Sequence, residues 1–340
     1  MRFSFTSEQE IFRQEVRDFL RSELDAGTFT IESRSLVGES SREFSRKMSR
    51  RGWIGFSWPK DFWGQGRTYV EKMMLNEELM KVRAPIGYHF LTDRQVGPVL
   101  IRFGSDWQKE YFLPRIVNAD ENMQFCLLFS EPNAGSDLVS VSTKAVKQRG
   151  HYIINGQKIW TSGGHFADYG WMLARTNFDE SLPKHRTCSE FIIEMKTPGI
   201  TVRPIINGAG EHVFNQVFFE DVKIENKFLV GQENDGFKQI MAQMDYERAG
   251  MERLLQNYPI YEQVVQFVQK MKRDDDNRGF YYWARDQIAQ LEIAFNIGRL
   301  LCYHTASIID RGEKPSSQAA LAKAFCTQYE KRLNDIATKI

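Results

Sequence analysis

Residues 130–137 read Ser-Glu-Pro-Asn-Ala-Gly-Ser-Asp, and residues 156–164 read Gly-Gln-Lys-Ile-Trp-Thr-Ser-Gly-Gly. The first stretch follows an apolar run, Gln124 to Phe129, that reads as a strand. Pro132 has no N–H to give a ladder and stops the strand. Asn133 and Gly135 admit backbone with positive φ. A turn of small residues at a strand end can aim several N–H groups at one anion or one carbonyl-rich ring. The second stretch puts the Trp160 indole and the hydroxyls of Thr161 and Ser162 at the end of another strand. Together they suit a flat, polar heterocycle carrying a pyrophosphate. Taken singly, each reads equally well as a surface turn or a hairpin end.

Around these motifs the hydrophobic period changes twice. Residues 1–122 read as helices. Thr6 and Ser7 with Glu10 suggest a capping box, followed by Ile11, Val16, Phe19 and Leu20 at helical spacing. Further helices are expected over Glu39 to Arg51, Tyr69 to Lys81 and Gly87 to Phe103, with a buried loop from Trp53 to Pro59. Residues 123–232 carry short apolar runs separated by Gly, Pro and Asn, the pattern of a β domain. Residues 233–340 return to helical spacing, with Phe237, Ile240, Met241 and Met244 forming one face. Lys270 to Arg278, with Asp274, Asp275 and Asp276, has no core-facing period and reads as a solvated loop. The expected class is α+β: helical domain, central β-barrel or sandwich, C-terminal helical bundle.

Bulk properties exclude several functions. The 340 residues suffice for a large core, and the net charge of +1 gives no general attraction to nucleic acid. No apolar run approaches a membrane span, and the N-terminus has no signal core. Cys126, Cys188, Cys302 and Cys326 are scattered without metal-ligand spacing. They read as reduced, mostly buried thiols of a cytoplasmic protein.

Other segments share one order with the two motifs: Gly64-Gln65-Gly66, Gln108-Lys109 with Leu113-Pro114, Phe218-Phe219-Glu220-Asp221-Val222, Gly231-Gln232-Glu233 through Gly236-Phe237, and Asp245-Tyr246-Glu247-Arg248-Ala249-Gly250. The collinear set resembles the acyl-CoA dehydrogenase family. The resemblance implies FAD as cofactor and no metal. It implies flavin contacts from Leu128, Phe129, Ser130, Gly135, Ser136, Trp160, Thr161 and Ser162, and CoA contacts from Ser136, Asp245 and Arg248. It also implies α,β-dehydrogenation of an acyl-CoA thioester, with electrons passed to an electron-transfer flavoprotein. Glu247 matches a family position for the base, and desolvation there would raise a carboxyl's pKa. From the residues alone, Glu247 reads equally as a surface carboxylate paired with Arg248 or Lys238. Gly250, expected inside the same helix, would either make room for a bulky acyl chain or permit close helix packing. His89, Asp93 and Arg94 lie on a helix that borders the acyl pocket in the family, and they read equally as solvated or core-capping residues.

Two departures from the family shape the expectation of partners. Most members carry Arg-x-x-Phe-Gly where this chain reads Lys270-Met271-Lys272-Arg273-Asp274-Asp275-Asp276-Asn277. The chain also stops at Ile340, before the family's last helices. The first feature is similar to subunits of two-component acyl-CoA dehydrogenases, such as those of steroid side-chain breakdown; the second implies either a truncated product or a site completed differently. The expected assembly is a homo-oligomer or a heterotetramer with a related subunit. A non-catalytic partner subunit is the alternative, and a flavin oxidase or monooxygenase on the same fold is a third possibility.

Overall fold

The structure, a computed structural model, describes residues 4–31, 40–248, 250–271 and 278–340, apart from the side chains of Asp245 and Tyr246. The helices are α1 (Ser7–Asp25), α2 (Arg42–Arg50), α3 (Tyr69–Lys81), α4 (Gly87–Leu91), α5 (Gly97–Phe103), α6 (Asp106–Val117), α7 (Gly236–Arg248), α8 (Glu252–Leu255), α9 (Tyr258–Lys270), α10 (Arg278–Asp310) and α11 (Ser316–Ala337). The strands are β1 (Phe125–Leu128), β2 (Lys144–Gln148), β3 (His151–Lys158), β4 (Tyr169–Arg175), β5 (Cys188–Glu194), β6 (Ile200–Ile206), β7 (His212–Glu225) and β8 (Leu229–Val230). Much of the charged run after Lys270, residues 272–277, lies outside the described residues. All four cysteines are free and buried.

Two compact units result. One holds Met1–Phe44, Gly66–Gly87 and Asp245–Ile340, and the other holds Ser45–Gln65 and Tyr88–Met244. In the helical unit α1 packs on α3, α3 on α10, and α10 on α11. The box capping α1 closes on Gln9 rather than Glu10: the Thr6 hydroxyl accepts the Gln9 N–H, and the Thr6 N–H donates to the Gln9 side chain. Gln9 stands at the third helical position, where the geometry of the box requires its partner. Consequently Ile11 is 69% exposed, and Phe12, Val16, Phe19 and Leu20 form the buried stripe. At the centre of this unit Glu77 is almost fully buried. Its carboxylate meets Lys81 Nζ at 2.8 Å, Arg299 Nε at 2.7 Å and the Tyr303 hydroxyl at 2.6 Å.

The second unit is built on an eight-stranded sheet in the order β6-β7-β3-β2-β4-β5-β8, with β1 pairing parallel to β4. One of its faces buries Leu128, Tyr152, Met172, Phe191, Phe219 and Val222. The loop from Trp53 is buried as expected, through Trp53, Ile54, Phe56 and Trp58. It also explains a departure in the same unit. The continuous helix expected from Gly87 to Phe103 is interrupted by a π-helical turn, Thr92–Val96. In an α-helix the Gly97 N–H would bond to the Asp93 carbonyl. That carbonyl instead accepts the Trp58 indole N–H at 3.1 Å, and the Gly97 N–H donates one residue further back, to Thr92. Gly97 is required here, because a Cβ would lie 1.9 Å from the Trp58 ring. The Asp93 carboxylate is also occupied, accepting the Gly55 N–H at 2.8 Å, and His89 bonds Ser45 Oγ at 2.8 Å.

The Glu77 cluster yields a stability prediction. Burial by itself would raise this carboxyl, but Arg299, Lys81 and their hydrogen bonds outweigh it and hold it near 2, against an ordinary 4.5. A depressed carboxyl stabilises the fold above its unfolded pKa, and that contribution disappears as pH falls from about 4.5 toward 2. Glu77→Gln leaves three partners short of a charge and should cost about 3–5 kcal/mol. Thermal melts across pH 2–7 should show a lowered midpoint and a flatter acid limb than in the parent chain. An unchanged acid limb would show that Glu77 carries no such linkage.

Candidate active site

The turn after β1 closes through a reciprocal backbone pair. Glu131 N donates to Ala134 O at 2.9 Å, and Ala134 N donates to Glu131 O at 3.1 Å. This closure needs no left-handed residue, and neither Asn133 nor Gly135 has positive φ. Left-handed backbone sits in the second motif instead, at Gly163, φ 67°, and at a non-glycine residue, Trp160, φ 60°. Non-glycine residues persist in that region only when their surroundings fix them, and they concentrate at functional sites. Trp160 is fixed on both sides, since Ile159 N donates to Ser130 O at 2.9 Å and Thr161 N donates to Asn215 O at 3.0 Å. Its indole is 57% exposed and meets Phe214 edge-on.

A buried ion pair joins the two motifs. Lys158 Nζ lies 2.8 Å from Glu131 Oε1 and 3.0 Å from the Phe129 carbonyl. Glu131 also accepts the Ser142 N–H at 2.6 Å and the Thr143 N–H at 3.0 Å. Burial pushes Lys158 down to about 8, with Glu131 pulling the other way. Glu131, whose burial alone would raise it, is held down to about 2 by Lys158 and the Ser142 and Thr143 donors. Both groups are therefore charged at neutral pH.

On the far side of Trp160, Asn215 organises the loop. Its Nδ2 donates to Thr161 O at 2.9 Å and its Oδ1 meets His212 Nε2 at 2.7 Å, while His165 stacks on His212 with centroids 3.9 Å apart. Burial, then the neighbouring His212, lowers the His165 pKa.

Each motif residue has a distinct surrounding. Ser136, Gly135 and Ser162 are exposed, and Ser130 and Phe129 are half-buried. Thr161 is buried, and its Oγ1 has no hydrogen-bond partner. Leu128 belongs to the sheet core, so its side chain is taken and only its backbone is left to meet a ligand. An exposed indole in a fixed loop, a partnerless buried hydroxyl beside it and a clasped small-residue turn fit a flavin ring and its polar edge.

Glu247 and Arg248, in the last turn of α7, belong to the other compact unit. The partner of Glu247 is neither Arg248 nor Lys238. Lys323 Nζ on α11 bonds both carboxylate oxygens, at 2.8 and 2.7 Å. Arg248 is half-buried, and the Asp245 side chain lies outside the described residues. Gly250 falls beyond the end of α7, so it carries no helix-interior cost, and the atoms nearest a Cβ there belong to the movable Glu252 carboxylate.

Other polar residues stand where sequence reading placed none. The buried face of α7 is Gly236, Gln239, Ile240 and Gln243, while Met241 is 49% exposed. Gly236 is required for this approach, because a Cβ would lie 2.7 Å from the Ser189 backbone on β5. Opposite Leu173 on β4 stands Glu190, fully buried, with neither oxygen partnered. Burial pushes it up to about 8, so it is neutral at pH 7. The available sequence signal was a glutamate inside the apolar run 188–194. The glutamines on α7 gave none, because they look like solvent residues.

Family models match the sequence along the chain: acyl-CoA dehydrogenase N-terminal domain over residues 6–120, middle domain over 126–222 and C-terminal domain over 234–340. The chain belongs to the acyl-CoA dehydrogenase family. Acyl-CoA dehydrogenase FadE26 of Mycobacterium tuberculosis is 32% identical over 338 residues, covering 96% of this chain and 83% of the relative. FadE29 of the same organism is 32% identical over 349 residues, covering 100% and 86%. Among solved structures, the ChsE4-ChsE5 complex from Mycobacterium tuberculosis has a TM-score of 0.82 at 30% identity, covering all of this chain and 86% of that one.

The buried clasp is open to test. Lys158→Met strands the Glu131 carboxylate and should cost about 3–5 kcal/mol. The Lys158→Met/Glu131→Gln double variant removes the stranded charge and should recover a substantial part of it. Denaturant midpoints of the parent, both single variants and the double variant check this. Strictly additive losses would show that the two groups do not act as a pair.

Proposed function

We propose that this chain catalyses FAD-dependent α,β-dehydrogenation of an acyl-CoA thioester to the trans-2-enoyl-CoA. Abstraction of the α-proton requires a positioned base, and Glu247 is our assignment. The observation that carries it is a carboxylate in the last turn of α7, partly exposed and held in one orientation by Lys323, in a chain of this family. Ser130, Thr161 and Ser162 supply the polar edge of the flavin site, and Trp160 its flat wall. Gly135 and Ser136 lie where the pyrophosphate would be cradled, and Ser136, Asp245 and Arg248 serve the CoA moiety. The flavin, when bound, supplies the acceptor for the β-hydrogen and its electron pair. Electrons then pass to an electron-transfer flavoprotein.

One observation favours a second reading, a non-catalytic subunit of a heteromeric dehydrogenase: both oxygens of Glu247 are already engaged by Lys323. The two readings separate on Glu247→Gln. If Glu247 is the base, substrate-induced bleaching of the bound flavin should slow by about 10²–10⁴-fold while flavin content stays the same. Near-normal bleaching in the variant removes Glu247 from the mechanism.

The assembly is the second point to test. Ile293, Ile297 and Leu300 form an exposed apolar stripe on α10, spaced four and three residues apart. We infer a contact with another subunit there, and a flavin site shared with a related chain. The sequence lacks Arg-x-x-Phe-Gly, and one charge-assisted hydrogen bond is worth about 1.5–3 kcal/mol, a tenfold to hundredfold change in affinity. Flavin per protomer, counted by absorbance after denaturation, should be low for the chain alone and rise on co-expression with a related acyl-CoA dehydrogenase subunit. One tightly held FAD per chain in a homo-oligomer overturns the shared site.

A further inference from the structure

α7 breaks the usual rule for a helix laid on a sheet. Its inward stripe should be apolar. Among the described side chains, two of the four buried positions on it are glutamines, Gln239 at 1% exposure and Gln243 at 0%. Both are held in the same manner. Gln239 Nε2 donates to the Val230 carbonyl at 3.0 Å, and Gln243 Nε2 donates to Gln95 Oε1 at 3.1 Å. In each case the amide nitrogen is tied down and the amide oxygen is buried without a partner. A buried acceptor with no donor is costly, and such atoms are rare in folded proteins. Gln239 faces the β8 edge. Gln243 faces the π-helical turn, a conformation that occurs often at functional sites. Gln95, itself 3% exposed, belongs to that turn, which the Trp58 and Asp93 bonds lock in place. Gln243 also stands four residues before Glu247 on α7, so the two share a helix stripe about one turn apart.

We propose that Gln243, held by Gln95, is a specificity residue whose free amide oxygen accepts a hydrogen bond from a hydroxyl carried on the acyl chain. The substrate class is then a hydroxylated acyl-CoA thioester rather than a plain alkanoyl-CoA. This rests on the reading of Glu247 as the base, one turn further along the same helix. The physical argument is one of mismatch. The Gln243 oxygen is already desolvated and unpaired in the chain alone, and a plain alkyl chain leaves it so. A hydroxyl supplies the one donor it lacks. Sites built to bond a substrate hydroxyl reject the analogue without it far more strongly than apolar pockets reject a missing methylene. A neutral hydrogen bond by itself corresponds to about twofold to tenfold in binding, and relieving a buried unsatisfied acceptor raises this to about tenfold to hundredfold.

The experiment is calorimetric titration of the purified chain, with its bound flavin and any co-purifying subunit, using octanoyl-CoA and its 5-, 6-, 7- and 8-hydroxy derivatives. At least one hydroxylated thioester should bind about tenfold to hundredfold more tightly than octanoyl-CoA. Gln243→Met, close in volume and lacking the acceptor, should abolish that preference while leaving octanoyl-CoA binding within about threefold. Gln243→Glu, which keeps an acceptor oxygen, should retain part of it. If the parent chain binds octanoyl-CoA as tightly as every hydroxylated analogue, the subsite is overturned and the dehydrogenase reading stands. If Gln243→Met weakens all five ligands alike, Gln243 is structural and the proposal also fails. A parent chain that binds no acyl-CoA overturns the thioester reading together with the subsite. Glu247→Gln, run in parallel, should bind normally without bleaching. Binding with normal bleaching in that variant removes the base and not the subsite.

Discussion

The junction of the two motifs depends on one buried ion pair. Lys158 and Glu131 come from segments 27 residues apart. Lys158 ends β3, Glu131 lies in the turn after β1, and each belongs to one of the two motifs. A charge buried alone is strongly unfavourable, so each group requires the other, and the requirement fixes the distance between the motifs. The lysine also bonds the Phe129 carbonyl, and the glutamate also bonds the Ser142 and Thr143 amides. Few lone pairs or protons at the junction are left unused. The left-handed conformation of Trp160 follows from this closure. Ile159 on one side of it is tied to Ser130, and Thr161 on the other is tied to Asn215. A single residue between two anchored neighbours has little conformational choice, and its indole is turned outward.

The same economy is absent beneath α7. There the helix approaches β5 closely enough to require Gly236, and a small apolar cluster of Ala134, Val141, Leu173, Cys188 and Ile240 holds it. Around that cluster are Gln239, Gln243, Glu190 and Trp171, all with buried polar atoms that lack partners. Stability alone would favour apolar residues at these positions. The contrast with the satisfied clasp at Lys158 suggests selection for something other than packing. The neutral Glu190 belongs to this group, since a buried carboxyl without a cation sheds its charge instead of finding a partner.

In the helical unit Glu77 organises in a third way. One carboxylate collects cations and a hydroxyl from three helices: Arg13 on α1, Lys81 on its own helix α3, and Arg299 and Tyr303 on α10. It ties elements far apart in sequence, and α11, which packs on α10, brings Lys323 to Glu247. The orientation of the proposed base thus rests on a packing arrangement with polar as well as apolar components.

The sequence by itself determined the class of fold and the motifs. Hydrophobic period distinguishes helix from strand locally, and turn residues and caps mark where elements stop, so α3 and the buried loop at Trp53 were legible. The two motifs were legible because unusual residues cluster in them. What the sequence left open depends on distant partners. The break at Thr92–Val96 exists because the Trp58 indole takes the Asp93 carbonyl, 35 residues away. The stripe of α7 was misread because Gln239 and Gln243 are polar by type, and only tertiary packing decides that they face inward. The partner of Glu247 could not be read from its neighbours, since it comes from α11, 76 residues away. Local periodicity carries no information about pairs at such separations. They are set when distant segments pack within each unit, and only the folded chain shows which polar atoms that packing satisfies and which it leaves without a partner.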